Sequence, residues 1–173
     1  MFPDDLVDRA AALIARYRLR GLRIASAESC TGGLVAGLLT EIPGSSAVLD
    51  RGFVVYSNDA KAELLDVPRA TLAAFGAVSE ETARAMAEGA LRHSAADFAV
   101  SITGIAGPDG GTPEKPVGLV HFACAGKNGE VVAMEKRYGP LARGEIRLAS
   151  VRTALDMLDR APGRRAGQSG GRP

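Results

Sequence analysis

Residues 22–33 read LRIASAESCTGG, a short apolar run that ends in a polar, glycine-rich turn. Leu22–Ala27 predicts a buried β-strand, and Thr31 begins a second apolar run that predicts a helix to about Ile42. A strand that leads directly into a helix is the building unit of α/β sheets, where ligands bind beyond the carboxyl ends of the strands. The segment therefore predicts an α/β fold with a candidate site at residues 28–33.

The rest of the chain continues the alternation of apolar strands and amphipathic helices. Helices are predicted over 4–19, 59–65, 79–91 and 142–159, and further strands over 48–56, 98–102, 117–125 and 131–138. The last two strands are joined by Gly126–Gly129, which predicts an antiparallel hairpin. We expect a three-layer α/β/α sandwich with a mixed, mostly parallel sheet of about five strands. Residues 1–160 would form this domain, and residues 161–173, which have almost no apolar side chains, would be a disordered tail.

The composition is that of a globular protein without an extreme charge. Of the 173 residues 46% are hydrophobic, and the formal net charge is +1, which favours neither nucleic acid nor an anionic membrane. The charged N-terminal stretch fits neither a signal peptide nor a membrane span. Two cysteines, Cys30 and Cys124, are too few for a disulfide framework. We expect a cytoplasmic protein with no nucleic-acid or membrane partner, and the sequence leaves open a homo-oligomer.

The turn Glu28–Gly33 contains the first candidate site. Backbone N–H groups at a helix start bind anions or a developing oxyanion, and glycines let a ligand approach the backbone. Ser29 is a candidate nucleophile here; the alternative is that Ser29 or Thr31 only caps the helix. Cys30 is a second candidate nucleophile, because a helix start lowers the pKa of a thiol. The alternative for Cys30 is a small buried side chain.

The segment Tyr56–Lys61, at the end of the second strand, contains a candidate base. Lys61 can take a proton from a serine when burial or positive neighbours lower its pKa; the alternative is a solvated helix lysine. The two histidines, His93 and His121, lie away from the glycine-rich turns. The sequence therefore lacks the residues for a histidine triad or for a metal site of ordinary ligand spacing. We expect neither a metal nor a cofactor.

A long loop rich in glycine and proline, residues 103–116, follows the predicted strand 98–102. Such loops carry function more often than plain connectors do. Thr103 falls at the carboxyl end of its strand, at the edge of the sheet where Ser29 and Tyr56 are also expected. The alternative is a wide turn with Asp109 as a turn former.

Several stretches, taken in order, resemble the C-terminal domain of the CinA family, which includes the nicotinamide mononucleotide amidohydrolases. They are AESCTGG (27–33), RGFVVYSNDAK (51–61), GAVSEETA (76–83), TGIAGPDGG (103–111) and KPVG (115–118). A final helix with spaced arginines follows them. The resemblance covers about residues 4–159 and is greatest to the stand-alone bacterial enzyme.

The resemblance implies hydrolysis of nicotinamide mononucleotide to nicotinate mononucleotide and ammonia, without a cofactor, in pyridine-nucleotide salvage. It implies that Ser29 is the nucleophile, that Lys61 is its general base, and that Tyr56 assists proton transfer or holds the lysine. The substrate-binding residues that it implies are Thr31, Gly32, Gly33, Asn58, Thr103, Gly104, Arg143 and Arg147. The N–H groups of Thr31–Gly33 would bind either the oxyanion or the 5′-phosphate, and the sequence leaves both open.

One region departs from the family pattern. The family has a glycine-aspartate-arginine stretch before the final helix, whereas residues 139–143 read GPLAR. The aspartate is missing and the loop looks two residues longer. The spacing from Arg143 to Arg147 is kept.

Two other functions fit part of the sequence. A magnesium-dependent nucleotide phosphatase would need several carboxylates, whereas residues 28–33 and 103–111 contain only the acids Glu28 and Asp109. The other function is that of a non-catalytic nucleotide-binding or regulatory module linked to competence and DNA damage. The amidohydrolase makes the sharper geometric prediction. The Ser29 hydroxyl and the Lys61 amine should lie within hydrogen-bond reach, or about one water apart, beside the Thr103–Gly111 loop, and burial should lower the pKa of Lys61.

Overall fold

The computed structural model describes residues 1–163, which form six helices, five strands and two 3₁₀ turns. The helices are α1 (Asp4–Leu19), α2 (Leu34–Thr40), α3 (Asn58–Leu65), α4 (Arg69–Phe75), α5 (Glu80–Arg92) and α6 (Arg143–Arg160). The strands are β1 (Ile24–Glu28), β2 (Leu49–Val54), β3 (Phe98–Gly104), β4 (Leu119–Gly126) and β5 (Val131–Arg137). The 3₁₀ turns are Ser45–Ala47 and Ala161–Gly163. Within residues 1–163, no helix has the length and apolar character needed to span a membrane.

The five strands form one mixed sheet in the order β2-β1-β3-β4-β5. β1 is parallel to both of its neighbours, whereas β4 is antiparallel to β3 and β5 is antiparallel to β4. The predicted mixed sheet and its hairpin are confirmed. Two of the four strand pairs are parallel and two are antiparallel, whereas the sequence predicted a parallel majority. The reason is that a loop without a crossover helix joins β3 to β4, and such a connection returns the chain antiparallel to the strand it leaves.

Helices cover both faces of the sheet, which confirms the three-layer sandwich. On one face α1, α2 and α6 share a core with strand residues such as Ile24 and Val100. On the other face α3, α4 and α5 pack on a layer of small side chains that includes Ala25 and Ala99. Because side chains alternate along a strand, β1 is buried throughout. The carboxyl end of this central strand therefore lies in the middle of one sheet edge.

Three segments differ from the sequence prediction. Leu34 rather than Thr31 begins α2, because the preceding turn contains glycines with positive φ that cannot continue a helix. The helix α4 was not predicted, and Leu72 anchors it in the core. Ala161 is buried and begins a 3₁₀ turn, so residues 161–163 belong to the folded domain rather than to the predicted tail. The rest of that prediction, 164–173, lies outside the described residues.

Candidate active site at the carboxyl edge of the sheet

Ser29 and Lys61 meet where β1 and β2 end. Ser29 follows β1 directly, and its N–H donates to the carbonyl of Ile102 in β3 (2.9 Å), which extends the pairing of the two strands. Lys61 lies in α3, which begins shortly after β2. Because β1 and β2 are parallel neighbours, their carboxyl ends share an edge, and Lys61 Nζ donates to Ser29 Oγ at 3.2 Å. The predicted contact is therefore confirmed.

The Lys61 amine is enclosed by oxygen atoms. The side chain is fully buried, and besides Ser29 Oγ its Nζ donates to the carbonyls of Val55 (2.9 Å) and Tyr56 (3.2 Å). Burial lowers the pKa of Lys61, as the sequence reading predicted. A neutral amine has two N–H groups for those carbonyls and a lone pair for the Ser29 proton. Lys61 can therefore act as the base that activates Ser29 as the nucleophile.

A buried carboxylate holds the start of α2. The Glu28 side chain accepts hydrogen bonds of 2.9–3.1 Å from the backbone N–H groups of Gly33, Val35 and Ala36. No side chain of the N-cap residue contributes. Because Glu28 satisfies these N–H groups, the alternative in which Ser29 or Thr31 caps the helix is wrong. For the same reason the N–H of Gly33 is not available to an anionic substrate.

Two backbone N–H groups of the turn after Ser29 donate to no other described residue. The N–H of Gly32 donates to the carbonyl of Ser29 (3.0 Å) and closes the turn. The N–H of Thr31 has no hydrogen-bond partner among residues 1–163, and the N–H of Cys30 donates to no other residue there. Thr31 Oγ1 is the only buried side-chain polar atom of the described chain without a partner. Thr31 as a whole residue is fully buried, so its N–H and its hydroxyl both lie inside the protein.

Cys30 does not compete with Ser29 as a nucleophile. The side chain is buried in the core, and burial above all raises the pKa of its thiol to about 11. The thiolate is the reactive form, so a thiol with this pKa is a poor nucleophile near neutral pH. The alternative of a small buried side chain is confirmed.

Tyr56 and Arg143 border the same site at the surface. Tyr56 holds Lys61 through its backbone carbonyl, whereas its side chain is 62% exposed. The phenol oxygen accepts a hydrogen bond from Arg143 Nη2 at 3.2 Å. Arg143 Nη1 donates to the carbonyl of Gly107 at 2.7 Å, so this arginine joins Tyr56 to the glycine-rich loop. The predicted position of the loop beside the pair is confirmed.

Arg147 lies one helical turn after Arg143 and reaches the turn that follows the nucleophile candidate. Its Nε donates to the carbonyl of Cys30 (3.1 Å) and its Nη2 donates to the carbonyl of Thr31 (2.9 Å). The side chain is half-buried. Residues four apart share one face of a helix, which explains why both arginines face the sheet edge.

The remaining residues predicted to bind substrate are placed differently. Thr103 is buried and its hydroxyl donates to the carbonyl of Ala77 (2.7 Å), so the side chain fixes the segment before α5. Gly104 packs against β4, where a Cβ would lie 2.7 Å from the carbonyl oxygen of Leu119. Close packing against β4 therefore explains why residue 104 is a glycine. Asn58 is exposed at the start of α3 and is the accessible side chain of these three.

Sequence reasoning missed the roles of Glu28 and Lys115. Lys115 Nζ donates to the carbonyls of Phe75 (2.7 Å) and Val78 (2.8 Å), and so fixes the same segment as Thr103. The available signals were an acid at the end of an apolar strand and a lysine at the end of the glycine-rich loop. Neither signal identifies the partner, because the partners lie on other elements.

No metal-binding cluster accompanies these residues. Within residues 1–163 there is no group of three or more His, Cys, Asp or Glu side chains that could hold a metal ion. A pocket lies at the opposite end of the sheet, between Phe98, Val132 and Met157. Its lining does not include Ser29 or Lys61.

Known proteins resemble the chain over the part that contains this site. The CinA C-terminal domain family matches residues 7–161. Nicotinamide-nucleotide amidohydrolase PncC of Enterobacter agglomerans is 50% identical over 144 residues, which are 82% of this chain and 88% of that protein. A CinA-like protein of Anaeromyxobacter dehalogenans is 54% identical over 156 residues, which are 90% of this chain but 37% of the relative. The chain thus spans little more than a third of the length of such relatives.

A solved structure agrees with the fold. The crystal structure of the competence/damage inducible protein CihA from Agrobacterium tumefaciens superposes with a TM-score of 0.92 at 58% sequence identity. The superposition covers 95% of this chain and 99% of that chain. The chain therefore belongs to the CinA family and corresponds to its C-terminal domain.

Proposed function

We propose that the protein hydrolyses the carboxamide of nicotinamide mononucleotide to nicotinate mononucleotide and ammonia, in cytoplasmic pyridine-nucleotide salvage. The observation that carries the proposal is the buried contact between Lys61 Nζ and Ser29 Oγ at 3.2 Å. The relative named nicotinamide-nucleotide amidohydrolase supports the choice of substrate. Cys30 and Cys124 are both buried and are not joined in a disulfide, which is consistent with a reducing compartment.

The first half of the reaction forms an acyl-enzyme. Ser29 Oγ attacks the carboxamide carbon while its proton passes to the neutral amine of Lys61. The carbonyl oxygen becomes an oxyanion beside the turn that follows Ser29. The tetrahedral intermediate then breaks its C–N bond, and the leaving nitrogen takes the proton from Lys61 and departs as ammonia. This leaves an ester between Ser29 and the nicotinoyl group.

The second half of the reaction restores the serine. A water molecule takes the place that ammonia has left, and Lys61 accepts its proton as the water oxygen attacks the ester carbon. Collapse of the second tetrahedral intermediate breaks the C–O bond to Ser29, which recovers the proton from Lys61. The product is the carboxylate of nicotinate mononucleotide.

The contacts of Glu28 indicate how the substrate is oriented. Because Glu28 occupies the first N–H groups of α2, the helix start cannot also bind the 5′-phosphate, and the oxyanion is the better occupant of the turn. The phosphate and ribose would lie toward the exposed side chains of Tyr56, Asn58 and Arg143. There a guanidinium can meet an anion, and the phenol ring offers an aromatic face to the pyridine.

An ammonia assay with the purified protein and nicotinamide mononucleotide tests the proposal. Ser29→Ala should reduce kcat by at least about a thousandfold, because the covalent route is lost. Cys30→Ala is the matched control and should keep most of the activity. If Cys30→Ala were inactive and Ser29→Ala active, the nucleophile would be Cys30 and not Ser29.

Two further measurements separate this mechanism from its alternatives. Turnover should survive prolonged treatment with EDTA, whereas loss that magnesium or zinc restores would favour a metal-dependent hydrolase. Hydroxylamine should divert the acyl-enzyme to the hydroxamate of nicotinate mononucleotide. Binding of the mononucleotide without ammonia release would favour a non-catalytic nucleotide-binding module.

A further inference from the structure

Arg147 uses its guanidinium on the backbone of the turn that follows Ser29. Its Nε and Nη2 donate to the carbonyls of Cys30 and Thr31 at 3.1 and 2.9 Å. The contact crosses from α6 to a turn more than a hundred residues earlier in the chain. Gly32 lies directly beside it, since a Cβ there would be 3.5 Å from Nη2. The two carbonyls belong to consecutive peptide groups, so one side chain fixes the orientation of both.

The planar peptide transmits that orientation to the opposite side of the turn. The carbonyl of Cys30 and the N–H of Thr31 belong to the same trans peptide and point in opposite directions. Arg147 holds the carbonyl on its own side, and so keeps the unused N–H of Thr31 directed away from α6. The next peptide contains the carbonyl of Thr31 and the N–H of Gly32, which donates to the Ser29 carbonyl (3.0 Å).

We propose that Arg147 is a positioning residue for acyl transfer, which fixes the two peptide groups that follow Ser29 and so holds the nucleophile in place, and that it is not a contact for the substrate phosphate. The proposal rests on the hydrolytic function proposed above. Two of the guanidinium donors would have to leave backbone carbonyls before they could bind a phosphate in the same fork. Removal of Arg147 is therefore expected to act on the chemical step and to leave substrate affinity nearly unchanged.

Steady-state kinetics of Arg147→Lys and Arg147→Gln test the proposal. An ammonium group cannot reproduce two parallel hydrogen bonds from a planar fork, so both variants should lose kcat by roughly tenfold to a hundredfold. KM should change by less than about threefold, because the position of the nucleophile affects the chemical step rather than substrate binding. Arg152→Lys, on the same helix but paired with Asp5 at the surface, is the control and should behave like the unaltered protein. Guanidinium ion added to Arg147→Gly should restore part of the lost turnover.

Nicotinamide riboside separates positioning from phosphate binding. This substrate has no phosphate, so a positioning residue should affect it by the same factor as the mononucleotide. A variant that raises KM for the mononucleotide, keeps its kcat and leaves the riboside unaffected would show that Arg147 binds the phosphate, and the proposal would be overturned.

Covalent labelling of Ser29 by a fluorophosphonate gives a readout that needs no natural substrate. The labelling rate depends on the position of the Ser29 hydroxyl, so labelling of Arg147→Lys should slow by at least about tenfold at an unchanged melting temperature. Equal labelling rates in the folded variant and the unaltered protein would overturn the proposal. If the protein is labelled in this way but releases no ammonia from the mononucleotide, the proposed function is wrong. The labelling rates still test the role of Arg147 in that case.

Discussion

At the scale of single residues, Lys61 shows how burial prepares a side chain for proton transfer. An ammonium ion in a protein interior is costly unless an opposite charge compensates it, so its pKa falls. The described partners of the Lys61 amine are a hydroxyl and backbone carbonyls, none of which carries a formal charge. The carbonyls accept hydrogen bonds from either protonation state, and the hydroxyl can accept from the ammonium or donate to the neutral amine. The amine can therefore gain and lose a proton without moving.

The pH profile of activity should report this lysine. The neutral amine is the active form, so kcat/KM should rise with pH through the depressed pKa of Lys61 and then level off. The measurement is kcat/KM between about pH 6 and about pH 10, the range in which a lysine with a lowered pKa titrates. Tyr56→Phe keeps the carbonyl that holds Lys61 and should leave the position of the acidic limb unchanged. A profile without an acidic limb would contradict Lys61 as the base.

The same pKa shift predicts a sign for stability. The folded pKa of Lys61 lies below its value in the unfolded chain, so the unfolded chain binds more protons at pH values between the two. The free energy of unfolding should therefore rise with pH in that window, relative to Lys61→Met, which cannot titrate. Urea denaturation of both proteins at about pH 7, 8 and 9 should show the difference growing in favour of the lysine. A constant difference would mean that Lys61 has an ordinary pKa in the folded protein.

At the scale of elements, α1 and α6 are joined by one buried polar contact and several exposed ones. The hydroxyl of Tyr17 donates to the carbonyl of Leu158 at 2.7 Å, near the end of α6, where carbonyls have no partner within the helix. Burial above all raises the pKa of Tyr17, which keeps the hydroxyl protonated and able to donate. Ion pairs at the rim join Arg9 to Asp156, Arg16 to Asp159 and Arg152 to Asp5.

The buried contact should contribute more to stability than any one of the exposed pairs. Tyr17→Phe leaves the Leu158 carbonyl without its donor and should lower the free energy of unfolding by about 1–3 kcal/mol. Arg152→Ala removes a solvent-screened pair and should cost less than about 1 kcal/mol. Chemical denaturation of both variants provides the comparison. An equal or larger loss for Arg152→Ala would show that the rim pairs, rather than Tyr17, hold the two helices together.

At the scale of the whole molecule, the site depends on the strand order. β1 lies between β2 and β3, so Ser29 after β1, Lys61 after β2 and the loop after β3 all meet at one edge. α6 crosses from the end of the chain and brings Arg143 and Arg147 to the same edge. The site therefore uses residues from nearly the whole matched domain and requires the complete fold.

The ten residues after Gly163 should be dispensable. The family match ends at residue 161, and the segment RRAGQSGGRP contains one apolar side chain, Ala166. A segment with so little apolar surface contributes little to a core. Truncation after Gly163 should change the melting temperature by less than about 2 °C and leave turnover unchanged. Truncation after Arg160 is the contrast, because it removes the buried Ala161 and should lower the melting temperature.

Local sequence patterns were enough to predict the hairpin, the chemical groups of the candidate site, and every helix and strand except α4. Apolar periodicity and glycine turns are local properties, which is why these elements are predicted to within a few residues. Placing Ser29 and Lys61 at strand ends was enough to predict their contact, because neighbouring parallel strands end at one edge.

Only the tertiary structure decided which partners the polar groups take. Glu28 fills the helix start, Thr103 turns to Ala77, and Arg147 holds carbonyls. Apart from that of Glu28, these contacts join residues that are far apart in the chain. The partner of a buried polar group depends on which acceptor the packed elements bring within hydrogen-bond reach, and no local pattern of residues encodes that distance.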